Sequence, residues 1–116
     1  MKIAIGCDPN AENEKQALMK FIENKGLGKV TDFGSTDPIY ANVAIKVGEA
    51  VASKEYDRGI LLCGTGLGVS IAANKVKGAY AALLTDAYSA ERARLSNDAN
   101  IACMGAFTTG SKEREL

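Results

Sequence analysis

Residues 59–76 read GILLCGTGLGVSIAANKV, and three features of this segment decide the fold. Its first part, Gly59 to Cys63, has the length and apolar composition of a strand that is buried on both faces. Glycines follow at positions 64, 66 and 68, and the residues after Gly68 show the apolar spacing of a helix. A strand that passes through a glycine loop into a helix is the repeating unit of parallel α/β proteins, so the segment predicts that class.

The same pattern recurs along the chain, because apolar runs of strand length alternate with segments of helical spacing. The predicted strands are residues 2–7, 29–33, 59–63, 79–84 and 100–104, and the predicted helices are 12–24, 41–53, a segment after Gly68, and 86–95. Helical crossovers of this length favour parallel strands, and strands that are apolar throughout are typical of sheets covered on both faces. We therefore expect a Rossmann-like three-layer αβα sandwich with a five-stranded parallel sheet.

The chain has 116 residues, which suits one compact domain, and we expect a single domain over residues 1–116. Its last residues, TTGSKEREL, read as a turn, an N-cap at Ser111 and the first charged turn of a helix. The domain is therefore expected to lack its C-terminal helix. A sheet face left uncovered in this way favours association with another subunit.

Charge and composition narrow the class of function. Lys plus Arg and Asp plus Glu both number 14 and are interspersed, which argues against a nucleic-acid surface or a membrane anchor. The 116-residue sequence contains neither an apolar stretch of membrane length nor the pattern of a secretory signal. We therefore expect a cytoplasmic protein that binds a small molecule. Three cysteines without any histidine indicate neither a disulfide framework nor a zinc site, and no metal or cofactor is expected. Without histidine, a Ser-His or Cys-His pair is also excluded.

The glycine loop is the strongest candidate for a binding site. Ligands of open parallel sheets bind beyond the carboxyl ends of the strands, and Gly64, Gly66 and Gly68 let an anion approach backbone N–H groups at a helix start. The loop lacks the third glycine of a dinucleotide fingerprint and the Gly-Lys of a nucleotide P-loop. A thiol-phosphatase loop would need an arginine where Val69 stands.

Cys63 has two interpretations on local sequence alone. Cysteines at helix N-termini ionise more readily than free ones, so a Cys63 thiolate could take a proton from a carbon next to a carbonyl while N–H groups hold the enolate oxygen. The alternative, equally well supported, is a small buried apolar residue at a strand end. Burial is favoured for Cys7 and Cys103, which end strands without such a loop.

Three more residues have both a structural and a functional interpretation. Asp8 could bind sugar hydroxyls after the first strand, or cap the following helix. Asn97 suits a cap or a turn after the fourth helix. Tyr40 suits a packing residue or the wall of a ligand pocket.

Four segments of the chain follow a pattern that is known from one protein family: MKIAIGCD, DFG, YDRGILLCGTGLGVSIAANKVKGAYAAL and DAYSAERARLSNDANIACMGA, of which CGTGLGVSIAANK is the most specific. Through these segments, along nearly its whole length, the chain resembles the ribose-5-phosphate isomerase B and galactose-6-phosphate isomerase family of sugar-phosphate aldose–ketose isomerases. The resemblance implies homodimers or homotetramers with active sites shared between subunits. The segments DPNA and DPIYAN also resemble the branch that acts on D-erythrulose 4-phosphate.

The resemblance also implies roles for individual residues. Cys63 would be the base that moves a proton between the first two carbons, and Thr65 with the loop amides would steady the enediolate oxygens. Substrate contacts would come from Asp8, Pro9, Tyr40, Gly64, Gly66, Leu67, Gly68, Ser96 and Asn97.

Some family residues are replaced in this chain. Pro9 and Ser96 stand where the family has histidines that help to hold the phosphate and to open the sugar ring, and Phe107 stands where an arginine is frequent. Phosphate-binding arginines of the family lie in the C-terminal helix, after the position of Leu116. A serine hydroxyl does not ionise near neutral pH and cannot replace a ring-opening histidine.

The loss of the ring-opening histidine indicates a substrate that needs no ring opening. A tetrose 4-phosphate cannot close a furanose because its terminal oxygen is esterified, so D-erythrulose 4-phosphate and D-erythrose 4-phosphate are the favoured pair. Ribose 5-phosphate or galactose 6-phosphate is the alternative substrate. A non-catalytic sugar-phosphate-binding subunit is an alternative of another class, and the retention of Cys63 and Thr65 argues against it.

Overall fold

The computed structural model describes residues 1–110 and shows a five-stranded parallel sheet with helices on both faces. Its elements are β1 (Lys2–Cys7), α1 (Glu12–Asn24), β2 (Lys29–Asp32), α2 (Tyr40–Ala52), β3 (Arg58–Cys63), α3 (Leu67–Ala73), β4 (Ala81–Leu83), α4 (Ala87–Leu95) and β5 (Ile101–Gly105). The predicted Rossmann-like αβα sandwich is confirmed. The N-cap expected at Ser111 and the residues after it lie outside the described part of the chain.

Two predicted boundaries were wrong for local reasons. The third helix begins at Leu67 and therefore includes Gly68, which the sequence interpretation placed before it. The fourth strand is shorter than the predicted residues 79–84, because Tyr80 donates its N–H to the side chain of Asn100 at 2.8 Å instead of to a strand. At the outer edge of β4, the Asn74 side chain donates to the Ala81 carbonyl and accepts from the Ala81 N–H, both at 2.9 Å.

The strand order is β2-β1-β3-β5-β4, so the chain moves outward from β1 in one direction and from β3 in the other. The neighbours β1 and β3 pair in parallel from Ile3 opposite Arg58 to Cys7 opposite Leu62. Crossovers on the two sides of this pair leave a crevice at its carboxyl end, where ligands bind in open α/β sheets. The topology thus places the crevice between Asp8 and Cys63.

Alternating side chains of the sheet supply two apolar cores. Ile3, Ile5 and Cys7 of β1 pack with α1 on one face, whereas Ala4 packs with α2 and α3 on the other. On that second face α2 crosses the central strands closely: a Cβ on Gly6 would lie 2.4 Å from Val43 Cγ2. Helix α2 is therefore held directly against the strands that carry the crevice.

Helix α4 is packed more loosely than the others, and none of its residues is buried. A cavity of about 230 Å³ separates it from the sheet, lined by apolar residues that include Ile60, Ala102 and Met104. The edge strand β4 is only partly buried, so the expectation that all apolar strands are covered on both faces is wrong for this strand. Within residues 1–110, no helix has the length and apolarity to cross a membrane.

A buried lysine joins the first turn of α1 to the end of β2. The Lys15 side chain is 1% exposed, and its Nζ lies 2.9 Å from Asp32 Oδ1 and 2.9 Å from Glu12 Oε2. Burial alone would lower the pKa of Lys15, but the two carboxylates outweigh it and raise that pKa. An ammonium buried this completely requires its partners, since one unpaired charge costs several kcal/mol, of order 3 to 5.

The carboxyl group of Glu12 makes stability depend on pH. Hydrogen bonds from Ser35, Lys15 and Gln16 lower the pKa of Glu12 from 4.5 to about 2. Because the folded pKa lies below the unfolded one, this contribution is complete above about pH 4.5 and is lost as the pH falls towards about 2. The Glu12 side chain is 42% exposed, so solvent screening reduces the contribution to about 1 kcal/mol.

Glu12→Gln is expected to flatten the acid limb of the stability curve, which urea unfolding at several pH values measures. The variant should be less stable than the wild type at pH 7 and should lose less stability between about pH 4.5 and pH 2. Glu23→Gln, an exposed change on the same helix, is the control and should keep the wild-type slope. Equal slopes for wild type and Glu12→Gln would contradict the role of Glu12.

Candidate active site

The carboxyl edge of the sheet brings together most of the residues expected to form a site. Asp8 directly follows β1, and the loop from Gly64 to Gly66 directly follows β3. The Asp8 N–H donates to the Leu62 carbonyl at 3.2 Å, which fixes Asp8 beside the strand end that carries Cys63. Tyr40 reaches the same edge because α2 begins there.

The Cys63 thiol is buried and is also tied into the glycine loop. Cys63 is 6% exposed, and its Sγ accepts a hydrogen bond from the Gly66 N–H at 3.1 Å. Gly66 adopts a positive φ of 84°, and a Cβ there would lie 2.7 Å from Leu83 Cδ1 and 2.9 Å from the Met104 carbonyl carbon. Only glycine satisfies both constraints, so the geometry around this sulfur depends on Gly66.

The rest of the loop leaves N–H groups available near Cys63. Among residues 1–110, the N–H groups of Gly64, Thr65 and Gly68 donate to no protein acceptor. The Thr65 hydroxyl is exposed and accepts the Leu67 N–H at 3.2 Å. The predicted loop thus has the donors that an anionic oxygen requires.

Two exposed aromatic rings flank the loop. A Cβ on Gly68 would lie 2.4 Å from Tyr40 Cε1, and a Cβ on Gly64 would lie 3.2 Å from Cδ2 and Cε2 of Phe107. The Tyr40 ring therefore contacts the backbone at Gly68 and the Phe107 ring contacts it at Gly64, while the role of Tyr40 as a pocket wall stays a prediction. Phe107 was absent from the predicted site residues, although its place after the last predicted strand was a usable signal.

The turn after β5 holds the loop from the other side. Ala106 N–H donates to the Cys63 carbonyl at 2.8 Å, and Phe107 N–H donates to the Gly64 carbonyl at 3.0 Å. A Cβ on Gly105 would lie 2.7 Å from Thr65 Cα, so the two backbones are in direct contact. These contacts fix the carbonyl side of the loop and direct its free N–H groups away from the turn.

Asp8 serves as a cap and remains available as an acceptor. It is 8% exposed, and its Oδ1 accepts the Asn10 N–H at 3.1 Å at the start of a short 3-10 turn, Pro9–Ala11. Asp8 is therefore a cap, as one interpretation expected, but it caps this 3-10 turn, whereas Ala11 occupies the N-cap position of α1 itself. A carboxylate has about four acceptor positions, so the cap does not exclude a substrate hydroxyl. Pro9 is exposed next to it and has no N–H to offer.

Ser96 and Asn97 do not join the other predicted residues within one chain. They follow α4, which returns the chain from the carboxyl end of β4 to the amino end of β5. Strand β5 has five residues and spans about 16 Å. Ser96 and Asn97 therefore lie at the amino ends of the strands, whereas Cys63 lies at the carboxyl ends. There the Ser96 hydroxyl accepts from Arg92 Nε at 2.9 Å, and Asn97 is exposed.

The other two cysteines are buried, as expected. Burial raises the pKa of Cys7 to about 12 and raises the pKa of Cys103 beyond any physiological value. Neither thiol ionises near neutral pH. Within the described residues, no group of acidic, cysteine or histidine side chains could hold a metal ion.

The described geometry suits proton transfer at a carbon atom next to a carbonyl. Cys63 provides a buried sulfur, the loop provides N–H donors for a developing oxyanion, and Asp8 provides an acceptor for hydroxyl groups. All of them lie at the carboxyl end of the β1 and β3 pair, where Tyr40 contacts the backbone at Gly68 and Phe107 contacts it at Gly64.

Known proteins with similar sequences and structures share this framework. The chain is 50% identical over 113 residues to "Ribose-5-P isomerase B" of Listeria innocua, covering 95% of the chain and 76% of that protein. It is 46% identical over 119 residues to "D-erythrulose-4-phosphate isomerase 2" of Mycolicibacterium smegmatis, with the same coverage of 95% and 76%. The structure of ribose-5-phosphate isomerase B from Clostridium thermocellum superposes with a TM-score of 0.90 at 46% identity, covering 97% of this chain and 77% of that one.

A family model described as Ribose/Galactose Isomerase matches residues 3–115, which is almost the entire chain and includes the whole crevice. Together with the relatives above, this match shows that the protein belongs to the ribose/galactose isomerase family.

Proposed function

We propose that this protein interconverts the aldose and ketose forms of a four-carbon sugar phosphate, D-erythrose 4-phosphate and D-erythrulose 4-phosphate. Membership of a family of sugar-phosphate isomerases supports the general reaction. The observation that carries the proposal is the buried Cys63 sulfur, which lies at the topological crevice and accepts the Gly66 N–H at 3.1 Å.

In the proposed reaction the Cys63 thiolate removes the proton from C2 of the aldose. The electron pair of the broken C–H bond moves towards the carbonyl and forms an enediolate. The loop N–H groups of Gly64, Thr65 and Gly68 stabilise its negative charge, and the Thr65 hydroxyl supplies a further donor. Return of the proton from Cys63 to C1, with proton redistribution between the two oxygens, completes the ketose.

The Gly66 N–H donates to the Cys63 sulfur at 3.1 Å and thereby fixes the position of the sulfur at the end of β3. Asp8 accepts hydrogen bonds from substrate hydroxyls and orients the carbon chain. Tyr40 and Phe107 bound the crevice on its two sides.

The side chain at position 96 supports the choice of a four-carbon substrate. The serine there is hydrogen-bonded to Arg92, and a serine hydroxyl cannot act as acid or base near neutral pH. An aldotetrose 4-phosphate needs no such group because it cannot form a furanose ring. The 46% identity to a D-erythrulose-4-phosphate isomerase agrees with this choice.

Ribose 5-phosphate is the alternative substrate, and the relative named ribose-5-P isomerase B, at 50% identity, favours it. In that case ring opening would have to proceed without a histidine, since the sequence contains none.

Cooperation between two subunits is the second part of the proposal. Ser96 and Asn97 lie at the opposite edge of the sheet from Cys63, so they can contribute only to the crevice of another subunit. A homodimer in which each crevice receives these residues from its partner would complete both sites, and a homotetramer could contain two such dimers.

Cys63→Ser is expected to lower kcat by about 10² to 10⁴-fold, because the serine hydroxyl is not a base at neutral pH. The measurement is the rate of ketose formation, together with deuterium uptake from solvent at C2 of the substrate. Cys103→Ala is the control, since this buried strand cysteine lies outside the crevice and should leave both rates close to wild type. Unchanged activity in Cys63→Ser would remove the catalytic assignment of Cys63, whereas a wild type that binds the sugar phosphate without converting it would favour a sugar-phosphate-binding subunit.

D-erythrulose 4-phosphate is expected to be converted with a kcat/KM at least about tenfold above that of ribose 5-phosphate. Ser96→His should raise the value for ribose 5-phosphate more than the value for the tetrose, because only the pentose needs ring opening. Steady-state assays of both substrates with both proteins give the comparison. Faster conversion of ribose 5-phosphate by the wild type would contradict the tetrose proposal.

Mixing two inactive variants tests whether subunits share a site. Cys63→Ala and Asn97→Ala are each expected to lose most activity, and unfolding and refolding them together should restore roughly a quarter of the wild-type value. This recovery arises because half of the dimers are mixed and one of their two crevices contains both native residues. If Cys63 and Asn97 act within one chain, or if Asn97 has no role, the mixture will not gain activity over the separate variants.

A further inference from the structure

Lys15 is a buried charged residue for which the proposed reaction gives no role. Its side chain is 1% exposed, and its charge is balanced by Asp32 and Glu12 at 2.9 Å each. The three groups lie where β1, α1 and the β2 end meet, next to the residue that we propose binds substrate hydroxyls, Asp8.

A continuous set of contacts leads from Lys15 to the backbone on the N-terminal side of Asp8. Asp32 Oδ1 accepts from Lys15 Nζ at 2.9 Å and also from the Gly34 N–H at 2.8 Å. Gly34 adopts a positive φ of 113°, and its carbonyl accepts the Cys7 N–H at 3.1 Å. Cys7 immediately precedes Asp8, so the position of Asp32 is transmitted to the Asp8 backbone through two hydrogen bonds.

A second route leads from Lys15 to the C-terminal side of Asp8. Asp8 caps the 3-10 turn Pro9–Ala11, which runs directly into α1. Lys15 and Glu12 are both in the first turn of that helix and are paired there. The Lys15 ammonium group therefore connects the segment that precedes Asp8, through Asp32 and Gly34, with the segment that follows Asp8, through Glu12 and the start of α1.

We propose that Lys15 is a positioning residue of the isomerase site, which holds the Asp8 carboxylate in register with Cys63 through Asp32 and Gly34. This inference rests on the proposed function, since Asp8 must contact substrate for its position to affect turnover. A displacement of about 1 Å in a positioning group can cost up to about 10²-fold in rate, so the effect is measurable.

The test is a double-mutant cycle of Lys15→Met and Asp8→Asn with D-erythrulose 4-phosphate as substrate. Lys15→Met removes the ammonium and keeps a side chain of similar length. We expect it to lower kcat/KM at least about tenfold in the wild-type background and less than about twofold in the Asp8→Asn background. Its effect on thermal unfolding should be similar in both backgrounds, because the loss of the ion pairs does not depend on the Asp8 charge.

Lys20→Met on the exposed face of the same helix is the matched control and should leave both kcat/KM and thermal unfolding near wild type. If Lys15→Met does not fold, Asp32→Asn takes its place in the cycle, since it weakens the same link while leaving Lys15 paired with Glu12.

The possible outcomes separate this inference from the proposed function. Equal losses of kcat/KM in the two Asp8 backgrounds, or no loss in a folded Lys15 variant, would overturn the positioning role while leaving the isomerase activity in place. If the wild type converts only ribose 5-phosphate, the same cycle applies with that substrate and only the tetrose proposal fails. If the wild type converts neither sugar phosphate, the proposed function and the role of Lys15 are both refuted.

Discussion

The parallel pairing of β1 with β3 is the constraint on which the rest of the structure depends. The chain continues from β1 to β2 on one side of this pair and from β3 to β4 and β5 on the other side, so both strands have a neighbour on each side. The crevice of the sheet forms at their carboxyl ends. Asp8 and Cys63 come together only through this pairing, since they are 55 positions apart along the chain (63 − 8 = 55). The close approach of α2 to Gly6 then determines where Tyr40 meets the glycine loop.

Several residues combine an observed structural role with the functional role proposed for them. Asp8 caps a turn and faces the crevice, and Cys63 is buried at a strand end while its sulfur accepts an N–H from the loop. The local sequence supported both interpretations for each residue; the structure shows the structural role, and the functional role stays a prediction. Burial of the thiol excludes bulk water, which strengthens the hydrogen bonds that hold it.

The chain contains equal numbers of acidic and basic residues, but their distribution around the crevice is uneven. The only ammonium group among the described side chains that is buried, Lys15, is neutralised by Glu12 and Asp32 and therefore adds little positive charge to the site. Pro9 and Phe107, which line the crevice where a phosphate ligand could have been expected, carry no charge. The backbone N–H groups of the glycine loop are therefore an electropositive feature of the site that does not depend on charged side chains.

The sequence by itself determined the α/β class, the strand and helix order and the glycine loop, because these depend on local apolar periodicity and on the special backbone freedom of glycine. It also proposed Cys63, Asp8 and Tyr40 as site residues, and all three lie at the carboxyl end of the sheet, since Cys63 ends a strand, Asp8 follows one and Tyr40 begins a helix. Only the tertiary structure decided that Phe107 flanks the loop, that Lys15 links both sides of Asp8, and that Ser96 and Asn97 lie at the other edge. Those relations depend on the order of the strands in the sheet and on the path of the helix that connects β4 to β5. Long-range packing determines both features, and a local sequence pattern does not reveal them.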